Sequence, residues 1–439
     1  MKRCLPQSQS LSALAKGLQG RFSSATRPLI GQNQVGAVLA LWLTCCAALA
    51  AQQAPIPTID ALGGHPYSIT KTWIIGGSGN WDTLTMDPTA GQLFIAHGPS
   101  VQVVDVSTGA VVGTVLGFHE AHAIVLDDAG EFGYASDGPA DLVRVFDRRS
   151  FKVVANIPTG PRPRALALDP QTGLLLAICS GGSIPGSSNT PEPTNLRNTN
   201  PNHRPATRGN SAPPPDSSSV ITVIDPQTRQ ALQNLTIRGI LGLAQPDQRG
   251  HVYVAVQDRN QVARIDVQAI STQIRNAAPQ SGSDGAEFRP ALLPLPSECR
   301  DPRSVAVDGL HQRLFVACNN MKMAVVNGAT GESVTSLTIG PGAQAIAYDA
   351  GRGLIFTANG GGYGSVTVIR QDVTDSYSVV QNLPTLQEAR TLAINPSTGE
   401  IYLVTALYGV NLDHPPVNGL GTLKMNQVDS SFQVLVIGN

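Results

Sequence analysis

The chain has 439 residues, only 14% of them charged, and a formal net charge of −1, so it lacks the basic field that holds a polyanion such as nucleic acid. With 44 glycines, 32 prolines and no long amphipathic helix legible, it reads as many short strands joined by turns rather than as a helical protein.

The first 51 residues differ from the rest. Lys2, Arg3, Lys16, Arg21 and Arg27 are basic and no acid accompanies them. Val35 to Ala51 is an uncharged apolar run ending in Ala48-Leu49-Ala50-Ala51. A basic region, an apolar region and a small-residue cleavage site make a secretory leader over 1–51. The run is at the lower limit for a membrane span, so a retained anchor is the alternative; cleavage would leave no stable membrane span. Removing the leader leaves 25 basic residues against 31 acidic, a net charge of −6. The expected location is periplasmic or secreted.

From about residue 66 onward a three-point pattern recurs seven times. A first residue is followed five positions later by a turn residue and twelve positions later by an aromatic or leucine. The triplets are Asp82/Asp87/Phe94, His122/Asp127/Tyr134, Arg164/Asp169/Leu176, Leu241/Pro246/Tyr253, Arg303/Asp308/Phe315, Gln344/Asp349/Phe356 and Arg390/Asn395/Tyr402. Constant internal spacing with irregular gaps marks a repeat architecture. In the copy at 81–117, Leu84–Met86, Gln92–Ala96, Val101–Val106 and Val111–Val115 read as four strands, with turns at Asp87–Gly91 and Ser107–Gly109. Four antiparallel strands per repeat make a propeller blade. The last copy lacks an outer strand, and Ser68–Gly77 resembles one. The expected fold is all-β: a single seven-bladed β-propeller over 66–439, closed by N- and C-terminal strands sharing one blade.

Phe356-Thr357-Ala358-Asn359, Phe94-Ile95-Ala96-His97, Tyr134-Ala135-Ser136-Asp137 and the run Val103–Gly109 carry a resemblance to a known family. The chain resembles the YVTN-repeat (YncE-like) exported bacterial β-propellers. The resemblance implies the same fold and export. It implies little about activity, because propellers host many.

Blade geometry places the first residue of each triplet at one mouth of the central channel. Asp82, His122, Arg164, Arg303, Gln344 and Arg390 are the polar members, and His97 ends a second strand at the same level. Three arginines around one axis would take a small anionic ligand; the alternative is that each pairs with a neighbouring acid such as Asp301 or Glu388. No metal or cofactor is assigned, since no close-spaced ligand motif, haem attachment motif, nucleophile elbow or phosphate loop occurs. Cys299 and Cys318 flank the inner hairpin of one blade and match a cysteine pair of the relatives it resembles, so they are expected to form a disulfide. Cys179 is left as a buried thiol.

Three segments break the repeat: 183–219, rich in Pro, Asn and Ser and expected to be disordered; 277–297, expected between the last strand of one blade and the next blade; and 409–431. All three are expected on the mouth face. The reading is an exported, monomeric, non-enzymatic binding or scaffold protein holding a small anion or a protein partner there. The alternative is a lactonase-like hydrolase using His97 or His122 as base and the arginines to hold an oxyanion.

Overall fold

The computed structural model describes residues 65–77, 79–127, 129–182, 217–276, 289–410 and 425–439. The leader and most of 183–219 lie outside the described residues.

Seven four-stranded antiparallel sheets form the described fold. Their innermost strands are Trp81–Asp87, Ala121–Leu126, Pro163–Leu168, Leu241–Pro246, Pro302–Asp308, Ala343–Asp349 and Leu392–Ile394, which define blades 1 to 7. Six blades are continuous in sequence. The seventh takes Leu392–Ile394, Ile401–Thr405 and Gln433–Gly438 from the C-terminal end, and its outer strand, Ser68–Ile74, from the N-terminal end. Trp73 pairs with Val434 across that closure, so no sheet edge is left between the two ends of the ring.

The triplet spacing has a physical origin. The second residue caps the turn that follows the innermost strand. Asp87 Oδ1 accepts from the amides of Thr89 and Ala90, Asp308 Oδ1 from Leu310 and His311, and Asn395 Oδ1 from Ser397. The third residue returns on the second strand and fills the seam to the neighbouring blade. The buried apolar residues fall into seven clusters, one per seam, and each holds one member of this column: Phe94, Tyr134, Leu176, Tyr253, Phe315, Phe356 or Tyr402. Burying such a ring contributes roughly 1.5–3 kcal/mol, and seven seams hold the ring closed.

The 277–297 segment departs from expectation. After the third strand of blade 4, Gln261–Asp266, the chain forms a helix, Val267–Asn276, capped where the Ala269 amide donates to Asp266 Oδ1 at 2.8 Å. Only then does the fourth strand follow, at Ala291–Pro294. The connection therefore joins strands three and four and leaves on the face opposite the mouth. Val267, Ile270 and Ile274 give a helical apolar stripe, packed on the seam between blades 3 and 4. The third segment does rise on the mouth face, where Tyr408–Val410 pairs with Met425–Gln427.

Candidate functional site

The innermost strands enclose a central channel of about 1060 Å³. Its lining includes the small side chains of Thr83, Ala123, Ala165, Ala345 and Thr391 and the larger Leu243. Thr83 Oγ1 donates to the carbonyl of His122 at 2.9 Å and Thr85 Oγ1 to that of Ile124 at 2.7 Å, stapling blade 1 to blade 2. At the end away from the mouth, Arg148 is bonded to Asp87 and lies 3.5 Å from Asp127, so the charges there are neutralised locally.

At the mouth, the ladder between first and second strands slips in six blades, after Trp81, Ala121, Pro163, Leu241, Pro302 and Ala343. A bulge leaves a residue off the ladder and re-aims its side chain. Asp82, His122, Arg164, Arg303 and Gln344 all fall within these slips. Arg390 lies two residues before the short inner strand of blade 7.

These side chains do not form one shared constellation. His122 Nδ1 is 2.9 Å from Asp82 Oδ2, across the seam between blades 1 and 2, and its Nε2 is 3.9 Å from Glu120 Oε2. Arg303 donates from Nη1 to Gln257 Oε1 at 3.0 Å and from Nη2 to Asp301 Oδ2 at 2.5 Å. Arg390 is bonded to Glu388 and to the Trp81 carbonyl, and its guanidinium lies 5.6 Å from the Trp81 ring centre. Two of the three arginines are thus paired with the acid two residues earlier, in the manner weighed as the alternative above. In both cases that acid has a left-handed backbone (φ 54° at Asp301, φ 62° at Glu388). Arg164 is exposed, and among the described residues its side chain meets no hydrogen-bond or ion-pair partner.

His97 is placed elsewhere. It is 2% exposed and lies against Phe432, with ring centres 3.8 Å apart and the planes tilted by 31°, in the seam between blades 7 and 1. Nδ1 is 2.8 Å from Gln102 Oε1. Burial pushes its pKa below the usual value, partly offset by the Gln102 bond. Neither His97 nor His122 lines the channel.

His97 belongs to a buried set at equivalent positions of the second strands, the last residue in every blade but the third, where the strand runs on to Gly182: His97, Asp137, Cys179, Val256, Cys318, Asn359 and Thr405. Several of these hold the incoming connection in place. Asp137 accepts from the amides of His119 and Glu120 and from Arg144 Nε at 2.8 Å. Burial alone would raise the Asp137 pKa, but Arg144 and those amides outweigh it and hold the carboxyl below its usual range. Thr405 Oγ1 donates to the Gln387 carbonyl at 2.6 Å. Cys318 is disulfide-bonded to Cys299 with Cα atoms 5.5 Å apart. Pro302, rather than Arg303, stands opposite Cys318, because the bulge takes Arg303 off the ladder. Cys179 is a buried free thiol whose pKa burial pushes up to about 11, which removes thiolate reactivity at neutral pH.

The residue that attracts most notice on the mouth face lies outside the triplets. Tyr363 is 84% exposed at the tip of Gly360-Gly361-Gly362-Tyr363-Gly364, between the second and third strands of blade 6. The loop packs backbone to backbone: a Cβ on Gly361 would stand 2.8 Å from the Pro341 carbonyl, and one on Gly364 would collide with the Leu386 carbonyl. The glycine run is visible in the sequence, but only the structure shows that it is a pedestal. Met321 in blade 5 and Leu407 and Val428 in blade 7 are also exposed on this face.

No protein-family model matches the chain, and no curated protein matches it in sequence. Solved structures match in fold. A chain of a mitotic checkpoint complex aligns at a TM-score of 0.56 and 11% identity, covering 80% of this chain and 92% of that one. The RRP9 WD40 repeats align at 0.57 and 9% identity, over 88% and 100% of the two chains. U3-55K aligns at 0.57 and 10% identity, over 86% and 99%. Likeness at this identity establishes the propeller fold and nothing finer.

Proposed function

We propose that the chain is an exported, non-enzymatic propeller of the YVTN-repeat type that holds a protein partner on its mouth face. The observation that carries this reading is Tyr363. A large aromatic exposed to solvent on a backbone-locked loop loses little freedom on binding, and such residues dominate interface energetics. Met321, Leu407 and Val428 are exposed on the equivalent connections of the two neighbouring blades, so exposed apolar side chains occur on three consecutive blades of this face. The mitotic checkpoint neighbour is itself part of a protein assembly, which agrees with a scaffold role. The basic-then-apolar segment at 1–51 supports export.

The test is a photo-crosslinking amino acid at position 363 in the full chain, expressed with its leader. Leu310, 77% exposed on the opposite face, is the control position. A discrete protein adduct from position 363 and none from 310 is expected, and Tyr363→Ser should weaken the purified complex by tenfold or more, on the order of one lost anchor. Identical adducts from both positions, or none from 363, would sink the reading. N-terminal sequencing of the exported protein should begin near residue 52.

A further inference from the structure

We infer that the mouth carries an oxyanion-binding point on blade 3, formed by Arg162 and Arg164, which takes a phosphate or carboxylate group. It lies three blades from Tyr363 around the ring and stands apart from the protein-docking reading.

The argument is a comparison of equivalent positions. Arg303 in blade 5 has two side-chain partners. One is Asp301, two residues earlier; the other is Gln257, the residue that follows the second strand of the preceding blade. In blade 3 both positions are changed. The residue two before Arg164 is Arg162, with the same left-handed backbone, φ 52° against 54° at Asp301. The residue following the second strand of blade 2 is Gly138. Blade 3 therefore keeps the mouth arginine, loses both groups that satisfy it elsewhere, and adds a second cation in place of the acid.

The surroundings do not supply a substitute. The Arg162 amide donates to Asp141 Oδ1 at 2.7 Å, but among the described residues no hydrogen bond or ion pair engages the Arg162 or Arg164 side chain. Both are exposed. Gly138 packs against His122: a Cβ there would stand 2.7 Å from His122 Nε2 and 3.6 Å from the Pro163 carbonyl, so the position has no room for a side chain that could replace Gln257. The nearby His122 has its Nδ1 bonded to Asp82 Oδ2. A guanidinium offers several N–H donors in a fork that fits a carboxylate or a phosphate, and two adjacent ones favour a doubly charged group. Like charges two residues apart repel, and an anion between them removes that repulsion.

Calorimetric titration of the mature protein with inorganic phosphate and, separately, with citrate at low salt tests this. Saturable, salt-sensitive binding is expected, and the stronger of the two ligands tells a phosphate site from a carboxylate site. Arg164→Gln should weaken it by tenfold or more, about the loss of one charge-assisted bond pair. Arg162→Asp should do the same, by restoring the ion pair that blade 5 makes internally. Arg149→Gln, at a turn on the opposite face, should leave binding unchanged. The proposal is overturned if wild-type protein binds neither anion at millimolar concentration. It is also overturned if Arg164→Gln and Arg162→Asp bind as wild type, or if Arg303→Gln weakens binding as much as Arg164→Gln. Unchanged melting temperatures exclude unfolding as the cause of any loss.

Discussion

Gly160 faces the sulfur of Cys179 in blade 3 as Cys299 faces Cys318 in blade 5. A Cβ on Gly160 would lie 3.4 Å from Cys179 Sγ, and both pairs are 19 residues apart. Gly340 and Asn359 repeat the relationship in blade 6, where a Cβ on Gly340 would stand 2.7 Å from Asn359 Nδ2. One position of the repeat thus does one job with different chemistry. It fixes the connection entering a blade against the end of that blade's second strand.

Gly160→Cys should therefore create a second disulfide, to Cys179. The added loop constraint is worth about 3 kcal/mol by chain entropy, less the cost of displacing Val220, whose Cγ1 would stand 2.8 Å from the new Cβ. Because burial holds the Cys179 thiol at a pKa of about 11, the bond should form during oxidative folding and not by later oxidation of folded protein. Mass spectrometry of thiol-blocked protein, before and after refolding, reads both outcomes.

Breaking the native bridge is the converse. Cys299→Ala should lower stability by about 2–4 kcal/mol, and reducing agent should lower the wild-type melting temperature while leaving the variant unchanged. Thermal denaturation with and without reductant checks it.

The repeat was legible because its spacings are set by strand length and turn capping, so Asp87 and Phe94 announce the fold without any long-range information. The mouth was legible only in height. His97 has the same strand parity as Leu93 and Ile95, which pack in the seam between blades 7 and 1, and a period of two therefore buries it there. Reading it at the mouth used its level and overlooked its face. Arg303 and Arg164 hold equivalent places in the repeat. Asp301 against Arg162, two residues earlier, is a difference the sequence shows; the other is Gln257, 46 residues from Arg303, and no local pattern reveals that bond. The helix Val267–Asn276 is hard to see in the sequence because ten residues with four apolar positions leave little periodicity.

His97 should make the ring closure sensitive to acid. Burial lowers its pKa in the folded state from the ordinary 6.5, so the unfolded chain takes up a proton first as pH falls. Its contribution to stability is full above that ordinary value and declines as pH drops toward the folded value. Wild-type protein should lose stability as pH falls through and below that ordinary value, and His97→Gln should show a flatter profile. Hydrogen exchange in Ser68–Ile74 and Gln433–Gly438, the strands of the closing blade, should report the same change locally.

Asp137 acts in a lower pH window with the opposite kind of group. Its folded pKa lies below the ordinary carboxylate value of 3.8, so its stabilisation is present above that value and is lost only as pH falls through the folded one. At neutral pH, Asp137→Ala strands Arg144 and the amides of His119 and Glu120 beside a position that is fully buried. Removing one partner of a buried pair costs about 3–5 kcal/mol. The expected result is a large drop in urea midpoint at neutral pH that shrinks in strong acid, where the wild-type carboxyl is also protonated. A variant as stable as wild type at neutral pH would show that the blade 2 connection is held by packing around Phe118 instead.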